Sequence, residues 1–211
     1  MHKLLLASKS SSRKDLLTQA EIPFVIVEQN ADETVCDWGL PLGKLVESIA
    51  THKMKSVILP EDDAQEGDVC FVLTADTLGQ DSQGNIHGKP KDKDDAIQMI
   101  SRARNGMRTA TGFCLERRVR RGNNWELDKR VLKSVETRYI FDVPDDWIEK
   151  YFEHSIGLKA SGAIAIEYYG LQFLKIIDGS YSAVMGFPMF ELREALTELG
   201  FFRKMQKKAP A

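Results

Sequence analysis

The chain has 211 residues, enough to bury about 70% of its unfolded surface in one domain or two joined lobes without disulfide or metal staples. Its 29 basic and 31 acidic residues leave a formal charge of -2, so there is no global positive field to hold a nucleic-acid backbone. Cys36, Cys70 and Cys114 lie far apart with no CxxC pair, which argues against a disulfide framework or a zinc knuckle and for buried free thiols.

The first predicted element is the apolar run Lys3 to Ala7, a strand buried on both faces and too short for a signal-peptide core. The polar stretch Ser8 to Ser12 follows, with Ser10 placed to cap a helix carrying Leu16, Leu17 and Ala20. Phe24 to Val27 reads as a second strand, and Leu45, Ile49, Ala50 and Val57 as a helix ending before Pro60. Val69 to Thr74 is an apolar strand, followed by a polar turn at Asp81 to Gly84. Asp92 to Ala103 is an amphipathic helix stopping near Gly106.

Residues 108–120 and 125–142 alternate in character around Arg120-Arg121-Gly122-Asn123-Asn124, a hairpin with a polar tip. Trp147 to Phe152 has helical spacing after Pro144. Ala163 to Ile166 and Leu171 to Ile177 read as strands, and Pro188 to Leu199 as a last helix stopped by Gly200. The tail, Arg203 to Ala211, is expected to fray. No apolar run reaches the roughly 20 residues of a membrane span, so a cytoplasmic protein with no membrane partner is expected. Alternating strands and helices around a long hairpin predict an α/β fold on a mixed sheet, read as one unit over residues 1–211.

Four segments could carry chemistry. The Ser8-Lys9-Ser10 turn, between a strand and a helix start, offers N–H groups and hydroxyls to an anion, and Arg13 could fork onto the same phosphate. An ordinary serine cap beside a solvated arginine fits the same residues. Asp32-Glu33 could hold Mg²⁺ or Mn²⁺, or simply be surface acids in a turn. Thr74-Ala75-Asp76-Thr77 is read at the carboxyl end of its strand, where Asp76 could take a proton from water, ligate a metal, or cap a turn. Gly88-Lys89-Pro90 fixes a lysine on a stiff backbone, either aimed at phosphate or idle in a turn. Lys53, on the predicted second helix, is unremarkable alone.

In order, these segments resemble the signature of the Maf family of nucleoside triphosphate pyrophosphatases, also called septum-formation inhibitors. Leu5 to Ser10 with Arg13 looks like its opening motif, and Asp32-Glu33 and Lys53 fall where its acidic pair and helix lysine do. Ala75-Asp76-Thr77, Gly88-Lys89-Pro90 and Thr111-Gly112 are similar to its central motifs. Asp178 to Tyr181 and Val184 to Pro188 are similar to its closing one. The resemblance implies an elongated mixed sheet flanked by helices, two lobes around a central cleft, often in a homodimer. It implies cleavage of a nucleoside triphosphate to monophosphate and pyrophosphate with a divalent metal, Mg²⁺ or Mn²⁺. Carried over, Ser8, Ser10, Arg13, Lys53 and Lys89 would grip the triphosphate. Glu33 and Asp76 would handle metal and water, with Asp76 as the base.

Two departures stand out. Ser12-Arg13-Lys14 keeps one of the two adjacent arginines usual in the family. Glu167 and Ile164 stand where members that hydrolyse pyrimidine nucleotides carry glutamine and usually tyrosine, respectively. Members resembling 7-methyl-GTP hydrolases have the glutamate but lack Ala75-Asp76-Thr77. An ionised glutamate only accepts hydrogen bonds, so Glu167 on a base would prefer donors or a cationic ring, leaving dTTP, UTP, CTP and 7-methyl-GTP as candidates. A structural Glu167 paired with a nearby arginine or lysine is the alternative. A nucleotide-binding regulator of septum formation that does no chemistry would retain the turn but not the acids. An inosine-triphosphate-type pyrophosphatase would show a different motif order.

Overall fold

A seven-stranded mixed sheet organises the protein, and a computed structural model describes residues 2–59 and 64–203 of it. Pro60 and the expected frayed tail from residue 204 lie outside the described residues. In chain order the elements are β1 (Leu4–Leu6), α1 (Ser11–Gln19), β2 (Phe24–Ile26), β3 (Glu28–Gln29), α2 (Leu42–Lys55), β4 (Val57–Ile58), β5 (Val69–Asp81) and β6 (Ile86–His87). Then follow α3 (Lys93–Ala103), β7 (Met107–Arg121), β8 (Asn124–Phe141), α4 (Ile148–His154), β9 (Leu174–Asp178), α5 (Tyr181–Met185) and α6 (Met189–Glu198). The main sheet runs β2-β1-β5-β7-β8-β9, with β6 on β5, while β3 and β4 form a separate ribbon. β1 is parallel to β2 and β5, as a strand–helix–strand connection requires, and the rest pair antiparallel.

Each face of the sheet is covered by helices that bury a stripe. On one side Leu17 of α1, Leu192 and Leu196 of α6, and Phe187 pack on Leu4, Leu6, Phe71 and Phe113. On the other, α2 buries Leu42, Leu45, Val46, Ile49, Ala50, Lys53 and Met54, the spacing of one helix face. Gly112 sets how closely α2 approaches: a Cβ there would lie 2.8 Å from the backbone carbon of Val46 and 2.9 Å from the Glu47 nitrogen. A third set, built on Ile100, Phe141, Tyr151 and Phe173, holds α3 and α4.

Four expectations need correction. β5 does not end at Thr74 but runs to Asp81, because β7 pairs with it residue by residue over the whole length. Asp76 is therefore mid-strand, not at a carboxyl end. Val57 is not helical: α2 stops at Lys55, and Val57 pairs with Gln29. Ala163 to Ile166 forms no strand, since Gly162 and Ala163 both have left-handed backbones (φ 66° and 59°), which break an extended run. There the apolar run is buried without pairing, and the Tyr151 hydroxyl donates to the Ala163 carbonyl and accepts from the Ala165 N–H. Finally, Tyr168–Phe173 is a 3₁₀ segment, and the strand begins only at Leu174.

Candidate active site

One edge of β5 is interrupted. β7 covers its other edge from Val69 to Asp81, but on this edge β1 pairs with Phe71 to Leu73 and β6 with Gly79 and Gln80. Residues 74–78 lie in the gap between them. The chain leaving β1 turns there through Ser8, so the carboxyl end of β1, not of β5, brings the predicted residues together.

From one side comes Arg13. It is buried, at 8% exposure, so the solvated-arginine alternative does not hold. Ser10 caps α1 as expected, accepting the Arg13 N–H, and the Ser10 N–H in turn donates to Ser8 Oγ. The Arg13 guanidinium donates to Gly186 O at 3.0 Å, Ser8 Oγ at 3.2 Å and Thr77 Oγ1 at 2.9 Å, and lies 5.6 Å from the Phe187 ring centre. Burial pulls it below its usual pKa, and the nearby Asp76 and Glu33 carboxylates oppose that. Thr111 Oγ1 donates its one proton to Ala183 O at 2.6 Å, so Thr77 must donate to Thr111, 2.8 Å away, while accepting from Arg13. Gly186 (φ 132°) lets the chain come close, since a Cβ there would sit 3.2 Å from Arg13 Cγ.

From the opposite face comes Lys53, because neighbours on a strand point to opposite sides and Asp76 faces α2 while Thr77 faces α1. Lys53 Nζ lies 2.7 Å from Asp76 Oδ1 and 2.9 Å from Glu33 Oε1. Asp76 is buried, and its Oδ2 has no hydrogen-bond partner among the described residues. Glu33 opens a 3₁₀ turn (Glu33–Val35) and stays half-exposed. Asp32 of the same pair serves the turn itself, accepting from the Thr34 N–H and hydroxyl, and those bonds hold its carboxyl below the usual range.

Two predicted residues stand apart from this cluster. Lys89 follows β6, exposed and without an ion pair among the described residues. Its loop is pinned from 161–162: Ser161 Oγ donates to His87 O and the Gly162 N–H to Gly88 O, each at 2.8 Å. Glu167 is buried beside the first turn of α1, accepting from Ser12 Oγ at 2.9 Å, with no basic partner among the described residues. It lines a cavity of about 460 Å³ with His154, Glu153 and Tyr168. Burial raises its pKa, opposed by hydrogen bonds including that of Ser12. Of the three cysteines only Cys114 is buried, and burial pushes its thiol up to about 12.

The model of the Maf-like protein family matches residues 3–199. This chain belongs to the Maf family. A dTTP/UTP pyrophosphatase of Anaeromyxobacter sp. is 34% identical to this Maf chain, over 94% of it and 90% of the relative. One of Ruminiclostridium cellulolyticum is 30% identical, over 94% and 97%. A nucleoside triphosphate pyrophosphatase of Microcystis aeruginosa is also 30% identical, over 94% and 95%.

Among the described residues of the Maf chain no group of three or more His, Cys, Asp or Glu is arranged to hold a metal. A hard divalent cation in a phosphate site needs only one or two carboxylates, since phosphate oxygens and water complete its shell. Glu33 and the unpartnered Asp76 Oδ2 suit that mode. Sequence reasoning did not assign Thr77, Thr111, Gly186 and Ser12, the partners that orient Arg13 and Glu167. Their only signal was membership in the motifs, because their bonds span 34 to 173 positions along the chain.

Proposed function

We propose that this Maf chain hydrolyses nucleoside triphosphates to monophosphate and pyrophosphate at the gap along β5. The observation that carries the proposal is Asp76: a buried carboxylate with one oxygen on Lys53 and the other free, beside an anion-binding turn braced by a buried arginine. The names of its relatives support the same reaction.

The Ser8 to Ser10 turn and the α1 N-terminus bind phosphate oxygens through backbone N–H groups and hydroxyls. Arg13 has five N–H donors and uses three on the protein, so it aligns Ser8 and Thr77 and still offers two to the substrate. Lys53 and Lys89 neutralise the charge that builds on the departing pyrophosphate. The Asp76 carboxylate takes the proton of the water that attacks the α-phosphate. A divalent cation, Mg²⁺ or Mn²⁺, held by Glu33 and Asp76 would supply Lewis acidity to the phosphate oxygens. Glu167 reads an N–H donor of the base, a demand that the N3–H of thymine or uracil meets, as do a guanine edge and its 7-methyl form.

The test is pyrophosphate release from dTTP, UTP, CTP, GTP, ITP and 7-methyl-GTP with Mg²⁺ and with Mn²⁺, beside Asp76→Asn. Release that Asp76→Asn abolishes is the expected result, and the preferred base reports on Glu167. Binding of these nucleotides with no release of pyrophosphate would replace the enzyme with a nucleotide-binding regulator.

A further inference from the structure

Lys53 occupies a place on α2 that the helix pattern reserves for an apolar side chain, between Ile49, Ala50 and Met54 on the buried stripe. A lysine is rarely buried there without a partner, and this one has two carboxylates within 2.9 Å. They are the same carboxylates to which the proposed function assigns the divalent cation. An ammonium and a divalent cation on one carboxylate pair repel, and the buried Arg13 adds a further positive charge nearby. Glu33 and Asp76 carry too little negative charge to hold all three. A triphosphate brings several negative charges of its own and so removes the conflict.

We infer, on the strength of that reading of the site, that Lys53 is a tethered cation holding the carboxylate pair in the free protein. Divalent metal therefore binds tightly only together with a triphosphate, whose oxygens draw the ammonium off Glu33 and Asp76. The unpartnered Asp76 Oδ2 is the foothold: one oxygen is held by lysine, and the other is buried with no hydrogen-bond partner among the described residues. The coupling is reciprocal, so nucleotide tightens metal by the same factor as metal tightens nucleotide. The free protein then keeps little metal at the site, and the hydrolytic arrangement assembles only around substrate.

The experiment is a calorimetric titration of Mn²⁺ into the full chain without nucleotide, for the wild type, Lys53→Met and Lys53→Gln. Both variants should bind Mn²⁺ about tenfold tighter than the wild type or better, within the range usual for site coupling. Circular dichroism checks that they fold. A second measurement needs no variant: acetic anhydride labelling of Lys53, read by peptide mass spectrometry. Labelling should rise several-fold when the wild type is saturated with Mn²⁺. Equal or weaker Mn²⁺ binding in the folded variants would overturn the inference, as would Lys53 labelling that Mn²⁺ leaves unchanged. Triphosphate hydrolysis by the wild type, measured alongside, separates the two claims. Hydrolysis without tightening refutes the role of Lys53 alone. Tightening without hydrolysis of any triphosphate refutes the proposed function and leaves Lys53 as a competitor at a metal-binding pair.

Discussion

β5 carries two buried aspartates, and they are treated in opposite ways. Asp81, at the strand's end, accepts from the Gln83 and Asn85 N–H groups, from Asn85 Nδ2, and bonds His87 Nε2 at 2.9 Å. Burial pushes it up, but the bonds from Asn85, His87 and Gln83 outweigh that and hold it at about 2. Asp76, five residues earlier, has one oxygen on Lys53 and the other with no donor. A buried carboxylate with both oxygens satisfied stabilises its surroundings, whereas one left half-satisfied is available for a ligand or a proton. The first belongs to the fold and the second to the chemistry.

Exchanging charge for amide at each aspartate sharpens this contrast. Asp76→Asn should lower the rate of pyrophosphate release by about 10²- to 10⁴-fold, the usual contribution of a positioned base, with the urea midpoint little changed. Removing divalent metal with EDTA should stop turnover to a similar degree, while far-ultraviolet circular dichroism stays that of the folded protein. An intermediate effect is expected at Gly112→Ala. Its methyl would press on the backbone of α2, costing about 1–3 kcal/mol in urea unfolding and moving Lys53 off Asp76, so turnover falls too. A Gly112→Ala protein with unaltered kinetics would mean that the packing of α2 does not position Lys53.

Asp81→Asn should do the reverse of Asp76→Asn, costing stability and sparing turnover. Holding the Asp81 carboxyl at about 2, where its ordinary value is 3.8, stabilises the fold by about 2 kcal/mol at neutral pH. Because its folded pKa lies below the unfolded one, that contribution is whole above pH 3.8 and is lost as pH falls from 3.8 to about 2. Urea titrations of wild type and variant over that window should converge. The smallest effect is expected at Glu167, where the sign is opposite. Its folded pKa lies above the unfolded one, so stability declines as pH rises from the ordinary carboxylate value through the raised one. Glu167→Gln should flatten that decline, and a slope identical to the wild type's would mean Glu167 does not contribute it.

Much of this was legible in the residues, and what was missed follows a pattern. Ser10 was read as a cap and is one, because capping depends only on the three positions that follow it. The hairpin around Gly122 and the helices at α3 and α6 also follow from local alternation and spacing. Ala163 to Ile166 was misread because a short apolar run looks the same whether it is paired in a sheet or buried as a turn. Lys53 is unremarkable alone and entered the site only through the family resemblance, although the buried pattern from Leu42 to Met54 puts a charge on the apolar stripe. A lysine on such a stripe demands a partner inside the protein.

The sequence by itself determined most of the elements, the Ser10 cap, and the family to which the chain belongs, since each depends on residues close together or on motifs in a set order. Only the tertiary structure decided that β1 stops short and leaves a gap along β5. It alone decided that Arg13 and Lys53 reach that gap from opposite faces, and that Asp76 keeps one oxygen unpaired where Asp81 keeps none. The physical reason is that these are contacts between elements far apart in the chain. A carboxylate's role is set by which donors surround it, and no local pattern records who those donors will be.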